Sequence, residues 1–220
     1  MTTQFKISGI YDRRTLKFLK EKGLTSFSFD FDPKSFNYLQ GQNFREMIHE
    51  FYSPIDFYTL NFRATTPLNL EHTLNDFLMA SGMDRNFMTN LLIEIPEAEL
   101  STTQSLSLPT MLKINKGSDI QSLAKASMVK GLVVDYGDLD LEHKQEEAYH
   151  FLNALFLLKR KYSLQLDIKV PWDGGATPSL FDFFPFDHKE LTINRKVEVC
   201  YRNVNLPLLE KEMSLMASEF

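Results

Sequence analysis

Charged side chains recur at alternate positions inside apolar runs. Lys6 and Ser8 flank Ile7. Ser28, Asp30 and Asp32 alternate with Phe27, Phe29 and Phe31, and Gln165, Asp167 and Lys169 alternate with Leu166, Ile168 and Val170. A period of two puts the polar members on one face of a strand. Two kinds of chemistry fit them. A desolvated lysine, Lys113 or Lys169, can form a Schiff base with a carbonyl substrate. The ordinary account is ion pairing: Lys6 with Asp30, Lys113 with Asp135, and Lys169 with a neighbouring carboxylate. His143, Glu146, Glu147 and His150 fall at helical spacing and could share a metal, although a solvated helix face explains them as well. Asp135, Asp138, Asp140 and Glu142 could draw a hard cation, but acids at a helix start also complement its dipole. Neither group is read as a metal site, and no cofactor is expected.

The elements that must position these groups are set in an ordinary globular chain. It has 220 residues, 43% hydrophobic and 24% charged, with a formal net charge of -5. That balance argues against a non-specific nucleic-acid binder. No apolar run approaches the roughly 20 residues that cross a bilayer, and the start lacks the pattern of a signal peptide. Cys200 is the one cysteine, which excludes an internal disulfide and suits a reducing, cytoplasmic setting. Phe is abundant, at 19 residues against 9 Gly, so the core is expected to be large and aromatic.

No linker divides the chain, so residues 1–220 read as one domain. Strand-like runs occupy residues 5–9, 26–32, 56–62, 90–95, 110–114, 131–136, 164–170 and 191–200. Helical patterns follow nearly all of them, at 13–22, 44–52, 70–80, 97–106, 118–127, 142–161 and 206–216. Asp12 is the expected N-cap of the first helix, and Gly23 and Gly82 end the first and third. Strands alternating with helices build a parallel sheet, and eight such units predict a closed (β/α)8 barrel, an α/β fold. In a barrel one strand face meets the helices and the other meets the lumen, so the charged alternates are lumen residues.

Lys6-Ile7-Ser8-Gly9-Ile10 is similar to a Lys-Ile-Cys-Gly-Ile opening. Residues 23–39 are similar to a unit reading roughly Gly-Ala-Asp-x-x-Gly-Phe-Val-Phe-x-Pro-Lys-Ser-Pro-Arg-Tyr-Val. Met111-Leu112-Lys113, Leu132-Val133-Val134-Asp135 and Gly174-Gly175-Ala176-Thr177-Pro178 match thinner pieces in the same order. With these the chain resembles the phosphoribosylanthranilate isomerases, strongly over about the first 40 residues and patchily beyond.

The resemblance implies a TIM barrel and an Amadori rearrangement in tryptophan synthesis, turning an aminoaldose phosphate into an aminoketose phosphate. It implies a general acid at Asp135 and a general base at the position of Ser8. Candidate substrate contacts are Lys6, Asn37, Lys113, Gly174, Gly175 and Arg195. Here the chain departs from the pattern. The base position holds Ser8, and a hydroxyl needs another base to activate it, whereas a thiol titrates near pH 8.5. Asn37 replaces the arginine that holds the substrate carboxylate. The acidic stretch from Tyr136 to Glu142 replaces a glycine-rich loop. Asn194-Arg195-Lys196 stands where backbone amides would help to cradle phosphate.

Two functions remain open on this reading. One is a divergent isomerase of a phosphorylated sugar. The other is a catalytically inactive descendant that binds a ligand or a protein. The aromatic residues Phe181, Phe183, Phe184 and Phe186 would make a protein-binding patch if exposed, or would cover the barrel if buried.

Overall fold

The computed structural model describes residues 4–63, 65–83, 89–141, 143–172 and 178–218. Eight parallel strands, each paired with its neighbours, close into a barrel: β1 Gln4–Ser8, β2 Ser26–Asp30, β3 Phe57–Asn61, β4 Leu91–Pro96, β5 Thr110–Ile114, β6 Val129–Asp135, β7 Gln165–Val170 and β8 His188–Thr192. The ring is sealed by β1 against β8, in register from Gln4 beside His188 to Ser8 beside Thr192. Helices fill the connections: α1 Arg13–Glu21, α2 Gly41–Phe51, α3 Pro67–Ser81, α4 Leu100–Ser105, α5 Ile120–Ala124, α6 Gln145–Tyr162, α7 Pro178–Phe183 and α8 Leu206–Ser218.

Local chemistry sets the helix limits. The Asp12 carboxylate accepts from the Thr15 amide at 2.8 Å and caps α1. The chain leaves that helix through Gly23 at φ +81°. Thr66 caps α3 with Pro67 in its first turn, and Gly82 ends it at φ +68°.

The last predicted strand is corrected. The run over 191–200 is broken, because Asn194 Oδ1 accepts from the Lys196 amide and turns the chain. The barrel strand starts earlier, at His188. Glu198–Cys200 (β9) and Asn203–Val204 (β10) form a separate antiparallel hairpin between β8 and α8.

Of the two readings of the aromatic run, burial against the barrel is the one that holds for most of it. Phe181, Phe184 and Phe186 are buried, and only Phe183 is exposed. Phe184 packs on Tyr149 and Phe156, and Phe186 packs on Phe156 and Phe181. The Lys189 ammonium sits 4.0 Å from the centre of the Phe181 ring. Aromatic area of this size is stabilising when it fills the gap between helix and barrel wall.

Among the described residues, no helix is long and apolar enough to cross a membrane.

Candidate functional site

Inside the barrel the alternate charges of β1, β4, β7 and β8 assemble in one cluster. Lys6 lies 2.8 Å from Glu190, 3.4 Å from Asp167 and 3.5 Å from Glu94. Lys169 lies 2.6 Å from Glu94 and 3.1 Å from Glu190. Lys6, Glu94, Asp167 and Glu190 are fully enclosed. Burial alone would drive both ammonium groups toward neutrality. The carboxylates outweigh it and raise both lysines above their ordinary value. A lysine held as ammonium is no nucleophile, so Lys169 is a structural cation and its Schiff-base reading is set aside.

The expected pair of Lys6 with Asp30 does not form. Ile7 is in register with Phe27, so Lys6 sits at the bottom of β2 while Asp30 ends that strand several residues higher. Lys6 is therefore a pillar beneath the mouth, closed off from any ligand that stays above it. Below it, His188 Nδ1 lies 2.9 Å from Asp167, and the Gln165 amide donates to the same carboxylate. A cleft of about 780 Å³ opens beside these groups at the N-terminal end, lined in part by Phe57, Phe156, Lys159 and His188.

Ligand chemistry in such barrels belongs to the C-terminal mouth. Ser8 ends β1 there, almost buried, with its hydroxyl 2.8 Å from that of Thr192. Gly9 follows at φ +72°, and a Cβ added to it would come within 2.2 Å of Asn37 Nδ2. Asn37 is itself buried and donates to the Ile193 carbonyl at 2.7 Å. Its amide thus ties the second loop to the end of β8.

Asp135 ends β6 with its side chain 38% exposed, 3.6 Å from the Lys113 ammonium, and it accepts from the Gly137 amide at 3.1 Å. This bears out the expected pairing of Asp135 with Lys113. The pair leaves the carboxyl part-exposed at the mouth, held by the Lys113 ammonium on one side and the Gly137 amide on the other.

Across the ring, a cavity of about 650 Å³ is lined by Asp30, Asp32, Pro33, Lys34, Ser35, Asn61 and Arg63. Burial pushes the Asp30 carboxyl up, against hydrogen bonds from Ser35 and the Asp32 amide that hold it down. The alternation of Ser28, Asp30 and Asp32 flagged Asp30 as a lumen residue but did not assign it to a cavity. Asn61 and Arg63 carried no signal of their own, because the cavity is made by loops from two units.

The hairpin closes one side of the mouth. The Arg202 guanidinium donates to the Tyr38 carbonyl at 2.7 Å and stacks over the Tyr11 ring, while Tyr11 donates to Glu198. Tyr201 meets Phe36 edge to face. Arg195 is exposed in the turn before β9, beside a groove of about 350 Å³ that it shares with Phe36 and Tyr201. Gly174 and Gly175 lie outside the described residues.

On α6 and the turn before it, His143 pairs with Asp140 and His150 with Glu146, all at the surface. Among the described residues, no group of three or more His, Cys, Asp or Glu is placed to hold a metal.

No protein-family model and no curated protein matches the chain. Solved structures do. Phosphoribosyl anthranilate isomerase from Thermotoga maritima superposes with a TM-score of 0.65 at 16% identity, covering 99% of this chain and 100% of that one. The enzyme from Thermus thermophilus superposes with a TM-score of 0.64 at 14% identity, covering 98% and 99%. A phosphoribosyl anthranilate isomerase in complex with reduced 1-(o-carboxyphenylamino)-1-deoxyribulose 5-phosphate gives 0.62 at 16%, covering 99% and 100%. At these identities the likeness establishes the fold: over nearly its whole length, the chain is folded as the (β/α)8 barrel of the phosphoribosylanthranilate isomerases.

Proposed function

We propose that this protein is a divergent isomerase that takes a phosphorylated aminosugar at the C-terminal mouth and converts an aminoaldose to an aminoketose. The observation that carries the reading is Asp135: a carboxyl at the end of β6, open to the mouth and fixed between the Lys113 ammonium and the Gly137 amide. A group so placed can give a proton to the sugar ring oxygen as the C1–O bond breaks. The fold supports the reading, since one structural neighbour holds a reduced deoxyribulose 5-phosphate compound. Lys113 would steady a substrate anion while it orients Asp135. Lys34, Arg63 and Arg195 are cations lining mouth cavities, available to meet a phosphate. An exposed Cys200 suits a reducing compartment such as the cytoplasm.

A second reading, a barrel that binds without turnover, draws on Asn37 and the hairpin. The Asn37 amide is committed to Ile193, and the link from β8 to α8 is built for packing on Tyr11, Phe36 and Tyr38.

The test is the isomerase assay on purified protein, following the loss of fluorescence as phosphoribosylanthranilate is consumed. Turnover that disappears in Asp135→Asn supports the first reading. A folded protein without turnover supports the second.

A further inference from the structure

We propose that Asp30 is the general base of this site, the group that takes the proton from C2 of the sugar; the proposal rests on the isomerase reading above. Ser8 is a poor candidate for that work. It is nearly buried, its hydroxyl is engaged with Thr192, and no described histidine or carboxylate touches it to act as activating base.

Asp30 has what Ser8 lacks. It lines the mouth cavity, at the end of the strand next to β1. The Asp32 amide donates to one of its oxygens at 3.0 Å, which fixes the carboxylate's direction. It forms no ion pair among the described residues; the charges that act on it are Asp32, which pushes its carboxyl up, and the Lys169 ammonium, which draws it down. Its partial burial makes the carboxylate more basic than one in water.

Placement fits the reaction. β2 and β6 stand four strands apart in the closed ring of eight, so Asp30 and Asp135 end strands on opposite sides of the mouth. A sugar lying across that opening meets an acid at one end and a base at the other. The residue pattern points the same way. Asp30 stands where the similar unit has valine, and Ser8 stands where the opening motif has cysteine. A carboxylate has appeared one strand away from the missing thiol.

The steps balance. Asp135 protonates the ring oxygen, the bond from C1 to that oxygen breaks with its electron pair going to oxygen, and the nitrogen lone pair forms an iminium with C1. Asp30 then removes the C2 proton. The C2–H pair becomes the C1–C2 double bond, and the C–N π pair returns to nitrogen. Loss of the C2 hydroxyl proton with protonation at C1 gives the aminoketose, with no oxidant or reductant consumed.

The test compares wild type, Asp30→Asn, Asp30→Ala and Asp135→Asn with phosphoribosylanthranilate, each variant checked for an unchanged cooperative melt. Loss of a general base lowers kcat by ~10²–10⁴-fold. The expectation is a fall of that size in Asp30→Asn with KM nearly unchanged, and recovery of Asp30→Ala by added formate. The low-pH limb of the wild-type profile should vanish in Asp30→Asn. Wild-type turnover with an Asp30→Asn rate within about threefold overturns the base assignment and leaves the isomerase reading standing, since base loss costs far more. A large loss that formate does not rescue, with the pH limb retained, makes Asp30 structural and also overturns the proposal. A folded wild type without turnover overturns the isomerase reading and the base assignment with it.

Discussion

The Lys6 ammonium lies 2.8 Å from the Glu190 carboxylate, on adjacent strands and in register, with both side chains buried in the barrel. Around them Glu94, Asp167 and Lys169 complete a cluster of five charges, two positive and three negative. Parallel barrels are usually filled by branched apolar side chains. Here a central cluster is ionic, and its stability depends on every member finding a partner.

Removing the central cation should therefore be severe. Lys6→Met leaves Glu94, Asp167 and Glu190 enclosed around an apolar chain. Breaking a buried pair on one side costs about 3–5 kcal/mol. Urea unfolding of the variant should show a loss of that order. A loss below about 1 kcal/mol, the scale of an exposed pair, would mean that water reaches the cluster.

The acid limb of stability has a sign fixed by Glu190. Burial alone would raise this carboxyl, but the Lys169 and Lys6 ammonium groups outweigh it and hold it at about 2 against an ordinary 4.5. A depressed carboxylate stabilises the fold above its unfolded value, and that contribution is lost as pH falls from about 4.5 toward 2. It amounts to a term on the order of 3 kcal/mol. Unfolding free energies between pH 5 and pH 2.5 should fall more steeply in wild type than in Glu190→Gln. The raised lysines act at the other end, and their contribution is lost only as pH rises above their ordinary value.

Gly9 is the tightest point of the mouth. A methyl group there meets Asn37 Nδ2 at 2.2 Å, in a backbone conformation that side chains other than glycine adopt at a cost. Gly9→Ala should displace the Asn37 amide from the Ile193 carbonyl and lower stability by about 2–4 kcal/mol, strain and lost hydrogen bond together. A thermal melt reads the sum. Adding Asn37→Gly should recover part of the loss by relieving the clash.

The aromatic run separates into core and surface. Phe184→Ala should cost about 3–5 kcal/mol, as a buried ring deleted from a packed core does. Phe183→Ser, at a side chain 71% exposed, should change stability by less than about 0.5 kcal/mol. Parallel denaturant titrations of the two variants decide it, and equal losses would contradict the packing described.

Much of the architecture could be read from local patterns. Asp12, Gly23, Thr66 and Gly82 mark helix ends through chemistry that acts over a few residues. The alternation in β1, β2 and β7 marked the lumen face because a strand's two sides are set by its pleat. Partners within the lumen were not readable in the same way. Lys6 pairs with acids from β4, β7 and β8, and which ones depends on strand tilt and register around the ring. The same holds for the mouth. Asp135 and Lys113 are inward alternates of neighbouring strands and were matched correctly. The link from Asn37 to Ile193 joins chain segments 156 residues apart, and nothing near either residue announces it. The run of residues 191–200 misled because valine and isoleucine favour strands on either side of an Asn-initiated turn.

The seal between β1 and β8 has a consequence for synthesis. Every pair that closes the ring joins residues 4–8 to residues 188–192. Until those residues leave the ribosome, β1 has an unpaired edge and Lys6 lacks both Asp167 and Glu190. A nascent chain can stack its early βα units, yet it keeps an open sheet edge until β8 arrives, the kind of surface that recruits holding chaperones or pairs with a neighbouring chain. This barrel becomes safe from its neighbours only once β8 has been made and has joined β1.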